Sequence, residues 1–453
     1  MRRYYVALLC SLQTACATYQ PMPLAKDFST QEYSSHLTTN FKSLPVDEQR
    51  THPFQSAERL SMTDVAIIAV LNNPDLKIGR DDAGIVQAQA FAAGLLPDPQ
   101  LALSGDLSNS AGPGLTKAFS YGLSFDISTL ITRSSILSAA QAEVRKTDLN
   151  LLWQEWQVVS QARLLYVKLV QGQKSKEILQ YNQTLFSDRY ERTNMALSRG
   201  LLISDMVTPN LTALEDVQKQ VNDLERQTNQ YRHELNTLLG LKPETIVVLQ
   251  DTVSLPDLDE KAILTALDKV TERRPDLMAL EAGYQAQDQR YRAAIIAQFP
   301  SLNLGLTRAR DSSGIYSNGV GLTLSLPILN RNRGVIAIEK ATRQKLYDEY
   351  QQRLDITNND VHKILDDQQI NERQLQQVKL GVAQLSIASK NSEIALQHKN
   401  IDSLSYANVH AALLAKQLEE INLQENILEQ RVALQTLIGG DLPFTTSLKS
   451  NHP

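Results

Sequence analysis

The chain has 453 residues, 42% hydrophobic, 6% aromatic and 21% charged, a length that suggests about three domains and an aromatic content low for large globular cores. Its 45 basic and 50 acidic residues give a net charge of −5, without the basic excess that marks a nucleic-acid partner. Beyond the N-terminus no stretch approaches the roughly 18–20 unbroken apolar residues of a transmembrane helix, which excludes a multi-span helical transporter.

Residues 1–16 read as an export signal, with Arg2 and Arg3 before the apolar run Tyr4 to Leu12. Leu12-Gln13-Thr14-Ala15-Cys16 resembles a lipoprotein box that would make Cys16 the lipidated first mature residue. The fit departs from the pattern, because Leu12 stands four positions before the cysteine instead of three and Gln13 is unusual there. Ala15-Cys16-Ala17 offers ordinary A-x-A cleavage as a second reading, and a plain N-terminal core segment is a third. Cys10 and Cys16 are the only cysteines, so no CxxC pair, zinc site or disulfide framework can be built. Residues 17–60 are polar with several Pro and Tyr and read as an extended arm.

The rest divides into two similar blocks, 61–240 and 261–440, joined by a linker at 241–260 and followed by a polar tail at 441–453. Asn73-Pro74-Asp75-Leu76 recurs as Arg274-Pro275-Asp276-Leu277, Pro99 as Pro300, and Leu101 and Leu103 as Leu302 and Leu304. Past position 122 the shift is two residues shorter, pairing Gly122-Leu123 with Gly321-Leu322, Ser204 with Ser403 and Gly240 with Gly439. Self-similarity at a fixed period over two long blocks indicates a duplicated unit.

Each unit begins with a helix, expected at about 75–96 and 276–297 and entered through a proline in its first turn. Two strands follow, at about 99–107 and 119–127, and in the second unit at about 300–308 and 319–327. Phe119, Tyr121, Leu123, Phe125 and Ile127 alternate with Ser120, Gly122, Ser124, Asp126 and Ser128, the period-2 signature of a strand with one apolar face. Gly112-Pro113-Gly114 and Ser312-Ser313-Gly314 mark the hairpin loops. Long helices are expected at about 133–198 and 335–398, some 100 Å each at 1.5 Å per residue, with a return helix of about 35 residues after each. Leu214, Val217, Val221, Leu224, Thr228, Tyr231, Leu235 and Leu238 form a heptad seam on the first return helix. The second is apolar on two faces, at Leu414, Leu418, Ile421, Leu428 and Val432 and at Leu423, Ile427 and Leu434, so it needs neighbours on both sides.

Strands of about nine residues match the roughly 9–11 of a tilted strand crossing a bilayer. Lipid-exposed sheets must close, and the smallest bacterial barrels have eight strands. Four strands per chain cannot close alone, whereas three chains supply twelve. The expected fold is therefore mainly α with membrane β: a homotrimer with one shared 12-stranded barrel and a long α-helical tube, which the family resemblance given next places in the periplasm. A soluble β-sandwich beside coiled coils is the rival architecture.

Here the chain resembles the TolC-type outer-membrane efflux proteins. The NPDL and RPDL helix starts, the passage Ala297-Gln298-Phe299-Pro300-Ser301-Leu302 and the segment Leu326-Pro327-Ile328-Leu329-Asn330-Arg331-Asn332-Arg333-Gly334 carry the resemblance. The last is similar to the strand-to-helix turn of the heavy-metal efflux branch and points to metal or drug export. The resemblance implies a trimer in the outer membrane, in contact with its lipid, working with a periplasmic adaptor and an inner-membrane pump. It further implies that the turns between long and return helices are adaptor-contact tips: Arg199, Gly200, Leu201 and Ser204 in the first unit, Asn400 and Ser403 in the second. Gly200 is expected to end its helix with φ > 0, and Ser204 or Asp205 to cap the next. Asn400 stands where the second turn would want glycine. Asp402 and Tyr406 are candidate gate residues, although no clear pair of inward aspartates follows the turn as it does in the better-known family pattern.

Trp153 and Trp156 lie toward the barrel end of the first long helix, suited to interface anchoring or to packing. GxxxxGK[ST], HExxH, GxSxG and Rossmann glycine patterns are missing, and no His pair stands at i, i+4, with His398 and His410 far apart. No enzyme, cofactor or metal ligand is expected. The reading is a passive exit duct for small toxic compounds or metal ions; the alternatives are a duct for secreted proteins, as in type I secretion, and a non-pore periplasmic coiled-coil scaffold.

Overall fold

The computed structural model describes residues 19–26, 59–106, 116–253, 255 and 258–440. The signal with Cys16, most of the arm, Gly112-Pro113-Gly114 and the tail lie outside the described residues. In chain order the elements are α1 (Met62–Asn72), α2 (Pro74–Gly94), β1 (Gln100–Asp106), β2 (Ala118–Asp126), α3 (Ser128–Ser198) and α4 (Ser204–Leu238). Then come α5 (Glu260–Leu267), α6 (Val270–Arg273), α7 (Pro275–Ile296), β3 (Ser301–Arg310), β4 (Tyr316–Ser325), α8 (Arg333–Gln397) and α9 (Ser403–Ile438).

The two long helices, α3 with 71 residues and α8 with 65, span about 105 and 98 Å. Neither contains a proline to interrupt its hydrogen-bond ladder. Because α4 and α9 are about half as long, each long helix has one neighbour over its strand-side half and another over its far half. Along α3 these are α2 and α4, and α7 joins α3 to α8 near the strands. On the far half α9 contacts α8 on one side and α3 and α4 on the other, which is what its two apolar faces require.

The half-helices meet end to end at mid-height, where the main core lies. Val65 and Ile68 of α1 pack on Leu165, Tyr166 and Val170 of α3 and on Leu235, Leu238 and Leu239 around the end of α4. Ser61 starts α1 with a reciprocal capping box to Asp64. Asn73 caps α2 through Leu76 N–H and donates to Leu238 O at 3.1 Å, tying the start of one helix to the end of another. Arg274 holds the same junction in the second half: it donates to both carboxylate oxygens of Asp276 (2.9 and 2.6 Å), to Thr357 Oγ1 (2.7 Å) and to Leu437 O (3.5 Å). There Gly439 has φ +75, and a Cβ on it would sit 2.8 Å from that of Arg273, so only glycine fits.

The four strands form one antiparallel sheet in the order β1-β2-β3-β4, with β1 and β4 as its free edges among the described residues. Leu101 pairs with Leu123, Leu123 with Leu306 and Leu306 with Val320, while Phe125, Leu304 and Leu322 make the next row on the same face. The opposite face carries Ser104, Ser120, Ser124, Asn303 and Thr323.

Several local expectations change. The β3–β4 hairpin is tighter than expected, with β3 running to Arg310 and β4 starting at Tyr316. Asp311 makes this possible: its carboxylate accepts the N–H groups of Ser313 and Ile315, both at 2.9 Å. Trp153 lies 25 residues into α3, roughly 37 Å from its start, too far from the strands for a headgroup anchor. It packs under the Arg274 guanidinium, 5.0 Å from its ring centre.

Candidate functional sites: the exposed sheet and the helix tips

The apolar face of the sheet is open to solvent in the single chain. Leu101, Leu103, Leu123, Leu306, Val320, Leu322 and Leu324 are all 48–77% exposed, a contiguous patch of the kind that marks a membrane or interaction surface. Toward the hairpin end the same face changes character: Tyr121 pairs with Arg308, and Arg310 pairs with Phe119 and Tyr316. At the opposite end Ser128 closes the β2–α3 turn, its hydroxyl accepting the Leu302 N–H at 2.7 Å.

At the other extreme of the long helices are the two tips, which share one geometry. Gly200 takes φ +70; its N–H donates to Leu197 O, and Leu201 N–H reaches back to Ala196 O at 2.9 Å. This is the double bond of a Schellman turn. The second tip repeats it, with Lys399 N–H to Leu396 O and Asn400 N–H to Ala395 O. The left-handed residue there is Lys399, φ +62, not Asn400, which follows it. Caps differ as well. Neither Ser204 nor Asp205 caps α4, whose N-cap is Ile203 without a side-chain bond. Asp402 is the N-cap of α9, accepting Ser405 N–H at 2.7 Å, and this bond holds its carboxyl below the usual carboxylate range.

Arg199, Gly200, Leu201, Ser204 and Asn400 are exposed, and Ser403 is half-buried. Leu201, Ile203 and Leu404 are large apolar side chains left 72%, 61% and 50% exposed. Tyr406 is different: it is fully buried within the protomer. The Arg189 guanidinium of α3 lies 3.5 Å from its ring centre and the His410 ring 4.2 Å away. Burial raises the Tyr406 hydroxyl's pKa against the pull of Arg189. Burial, aided by Arg189, lowers that of His410, whose Nε2 lies 3.0 Å from Ser389 Oγ. Tyr406 therefore does not project into open space, and Arg189, Ser389 and His410 join it in a cluster that the sequence reading had not assembled.

Between α4 and α9, just above the tips, runs a groove of about 540 Å3 floored by Phe186, Pro209, Val217, Ala407, Ala411 and Leu414. Farther up, Lys168 of α3 lies 3.5 Å from Glu429 of α9. Glu425, one turn before, has its carboxyl pushed up to about 7 by burial and then by Glu429, with Lys168 opposing. Among the described residues no cluster of His, Cys, Asp or Glu is arranged to hold a metal ion, and no helix is long and apolar enough to cross a membrane.

This architecture, a small antiparallel sheet at one end of paired helices about 100 Å long, is that of known outer-membrane channels. The outer membrane protein VceC of Vibrio cholerae superposes with a TM-score of 0.71 at 15% identity, over 84% of this chain and 97% of that one. A membrane protein of Pseudomonas aeruginosa gives 0.73 at 18% identity (94% and 99%), and the CmeC outer membrane channel of Campylobacter jejuni 0.72 at 16% (85% and 87%). No curated protein matches the sequence. Residues 266–440 match the family described as outer membrane efflux protein. The C-terminal part of the chain is thus similar to that family, and over most of its length the chain has the fold of outer-membrane channels, as the resemblance implied.

Proposed function

We propose that the chain is the exit duct of a tripartite efflux system, three copies closing a twelve-stranded barrel in the outer membrane above a helical periplasmic tube. The observation that carries this reading is the open sheet: two unpaired edges and an exposed apolar face, which hydrocarbon tolerates only in a closed barrel. The helical wall has free flanks too. Leu380, Ile387 and Ile394 repeat every seven residues on α8, each at least 48% exposed, and Ile78 and Ile85 do so on α2. Such seams are what a neighbouring copy's helices would cover. In this reading the two halves are repeats of one unit, and Cys16 carries a lipid anchor.

The tips, with Arg199, Gly200, Leu201, Ser204, Asn400 and Ser403, and the groove above them would receive the helices of a periplasmic adaptor that links the duct to an inner-membrane pump. Tyr406 then gates through packing, as release of the Arg189–Tyr406 contact would let α3 and α9 part, while Asp402, exposed at the start of α9, would gate through its charge. The duct moves small toxic compounds or metal ions passively; the pump supplies the energy and most of the selectivity.

Imaging the protein extracted in mild detergent tests the duct. A threefold tapered tube well over 100 Å long is expected from the helix lengths; compact monomers released without detergent would refute it. Ala411→Trp, which fills the groove, should abolish adaptor crosslinking while leaving the trimer intact.

A further inference from the structure

Arg308 and Arg310, with Asn318 opposite Arg308, end the apolar stretch of the sheet's face. They occupy the same alternation as Leu302, Leu304 and Leu306, so they share the side that the barrel reading turns toward lipid. Their guanidinium carbons lie 5.8 and 5.6 Å from the centre of the Tyr316 ring. Phe119 meets that ring edge-on at 6.3 Å.

Neither arginine has a carboxylate within ion-pair reach among the described residues. Arg310 Nε is buried without a hydrogen-bond partner, and the nearest acid in sequence, Asp311, spends its carboxylate on the hairpin backbone. The segment 107–115, outside the described residues, contains no acidic residue. Lys117, exposed just before β2, adds a third cation at this end.

Depth matters as much as charge. A strand tilted about 45° advances roughly 2.3 Å per residue along the membrane normal. From the exposed Phe299 to Arg310 that amounts to about 25 Å, the height of the apolar band on such barrels. Arg308 and Arg310 therefore stand at the outer interface, where a lipid-facing arginine is tolerated and its head can reach the headgroups. The tyrosines beside them suit the same layer.

We propose that Arg308 and Arg310, with Tyr316 and Lys117, form on each protomer a binding site for the phosphate groups of an outer-leaflet glycolipid. The charge complementarity is specific: unpaired guanidinium groups hold phosphate bidentately. The site rests on the barrel reading above.

The test uses the full chain purified in mild detergent, titrated with a diphosphorylated glycolipid, with the same lipid dephosphorylated, and with inorganic phosphate, bound lipid being counted by native mass spectrometry. The wild type should prefer the phosphorylated lipid and ignore free phosphate. R308Q/R310Q should lose about thirtyfold in affinity, the effect of removing two interfacial cations, with its lipid-free melting temperature unchanged, and R308K/R310K should keep most of it. Equal affinity of the Gln variant and the wild type, or no preference for the phosphorylated lipid, overturns the site while the barrel stands. Recovery of the chain without detergent overturns the barrel and the site with it.

Discussion

The lipid-facing assignment of the sheet makes a sharp prediction at two positions on adjacent strands. Leu304 sits on β3 between Phe125 and Leu322, and Thr323 sits on β4 opposite Asn303, on the other face. Leu304 lies three residues above Ser301 and six below Arg310, about 7 and 14 Å along the membrane normal, well inside the apolar band. An arginine at that depth on the lipid face costs about 2–4 kcal/mol. Three copies in one barrel bring that to about 6–12 kcal/mol per trimer, the scale of a whole domain's stability.

Leu304→Arg should therefore reduce the detergent-resistant trimer to a trace on unboiled gels. Thr323→Arg, the same charge facing the lumen, should leave it near the wild-type level. Equal loss in the two variants, or a greater loss from Thr323→Arg, would refute the assignment of faces.

Other predictions concern the helices. Lys399→Gly should stabilise the protein by about 1 kcal/mol, by relieving a left-handed lysine, and Gly200→Ala should destabilise it by a similar amount, both read by thermal unfolding. Asp276→Ala leaves Arg274, only 3% exposed, without its bidentate partner and should cost about 3–5 kcal/mol in denaturant; replacing the pair together with Met and Leu should recover most of that. Glu425, its carboxyl raised to about 7, binds a proton more tightly folded than unfolded. Its contribution is thus fully present below the ordinary carboxylate range, declines as pH rises from there through about 7, and is gone above. Glu425→Gln should flatten the melting temperature across that window, matching the wild type on the acid side and exceeding it above.

Much of this architecture was legible in the sequence because its signals are long and periodic. Uninterrupted helices, strict alternation on the strands and the heptad seam of α4 each repeat one physical requirement many times, and the elements expected from them fall within a few residues of those observed, whereas the short helices α1, α5 and α6 were not expected. Single-residue roles were harder. Asn400 was favoured at the second turn because asparagine tolerates left-handed backbone. The register that pairs Ser204 with Ser403 already aligned Gly200 with Lys399, and tertiary context imposed the strained geometry on the lysine. Asp402 was singled out as a candidate gate residue, and its place before a helical run also makes it a cap. Tyr406, His410 and Leu414 stand at i, i+4 and i+8, a spacing that placed the tyrosine on the buried face of α9.

What no single chain displays in its pattern is closure. The alternation of β4 establishes that one face is apolar, but whether its edge meets β1 of the same chain or of another depends on the curvature of the closed sheet, and in the twelve-stranded barrel proposed above four strands would contribute only an arc. The flanks carry complementary information. The heptad stripe on α8, with no helix beside it among the described residues, calls for a partner toward the tips, whereas the free strand edges, in the barrel proposed above, call for one in the membrane. A neighbouring copy related by rotation about the tube axis meets both demands with one contact repeated around the ring, whereas an unrelated partner would have to match an edge and a coiled-coil seam about 100 Å apart.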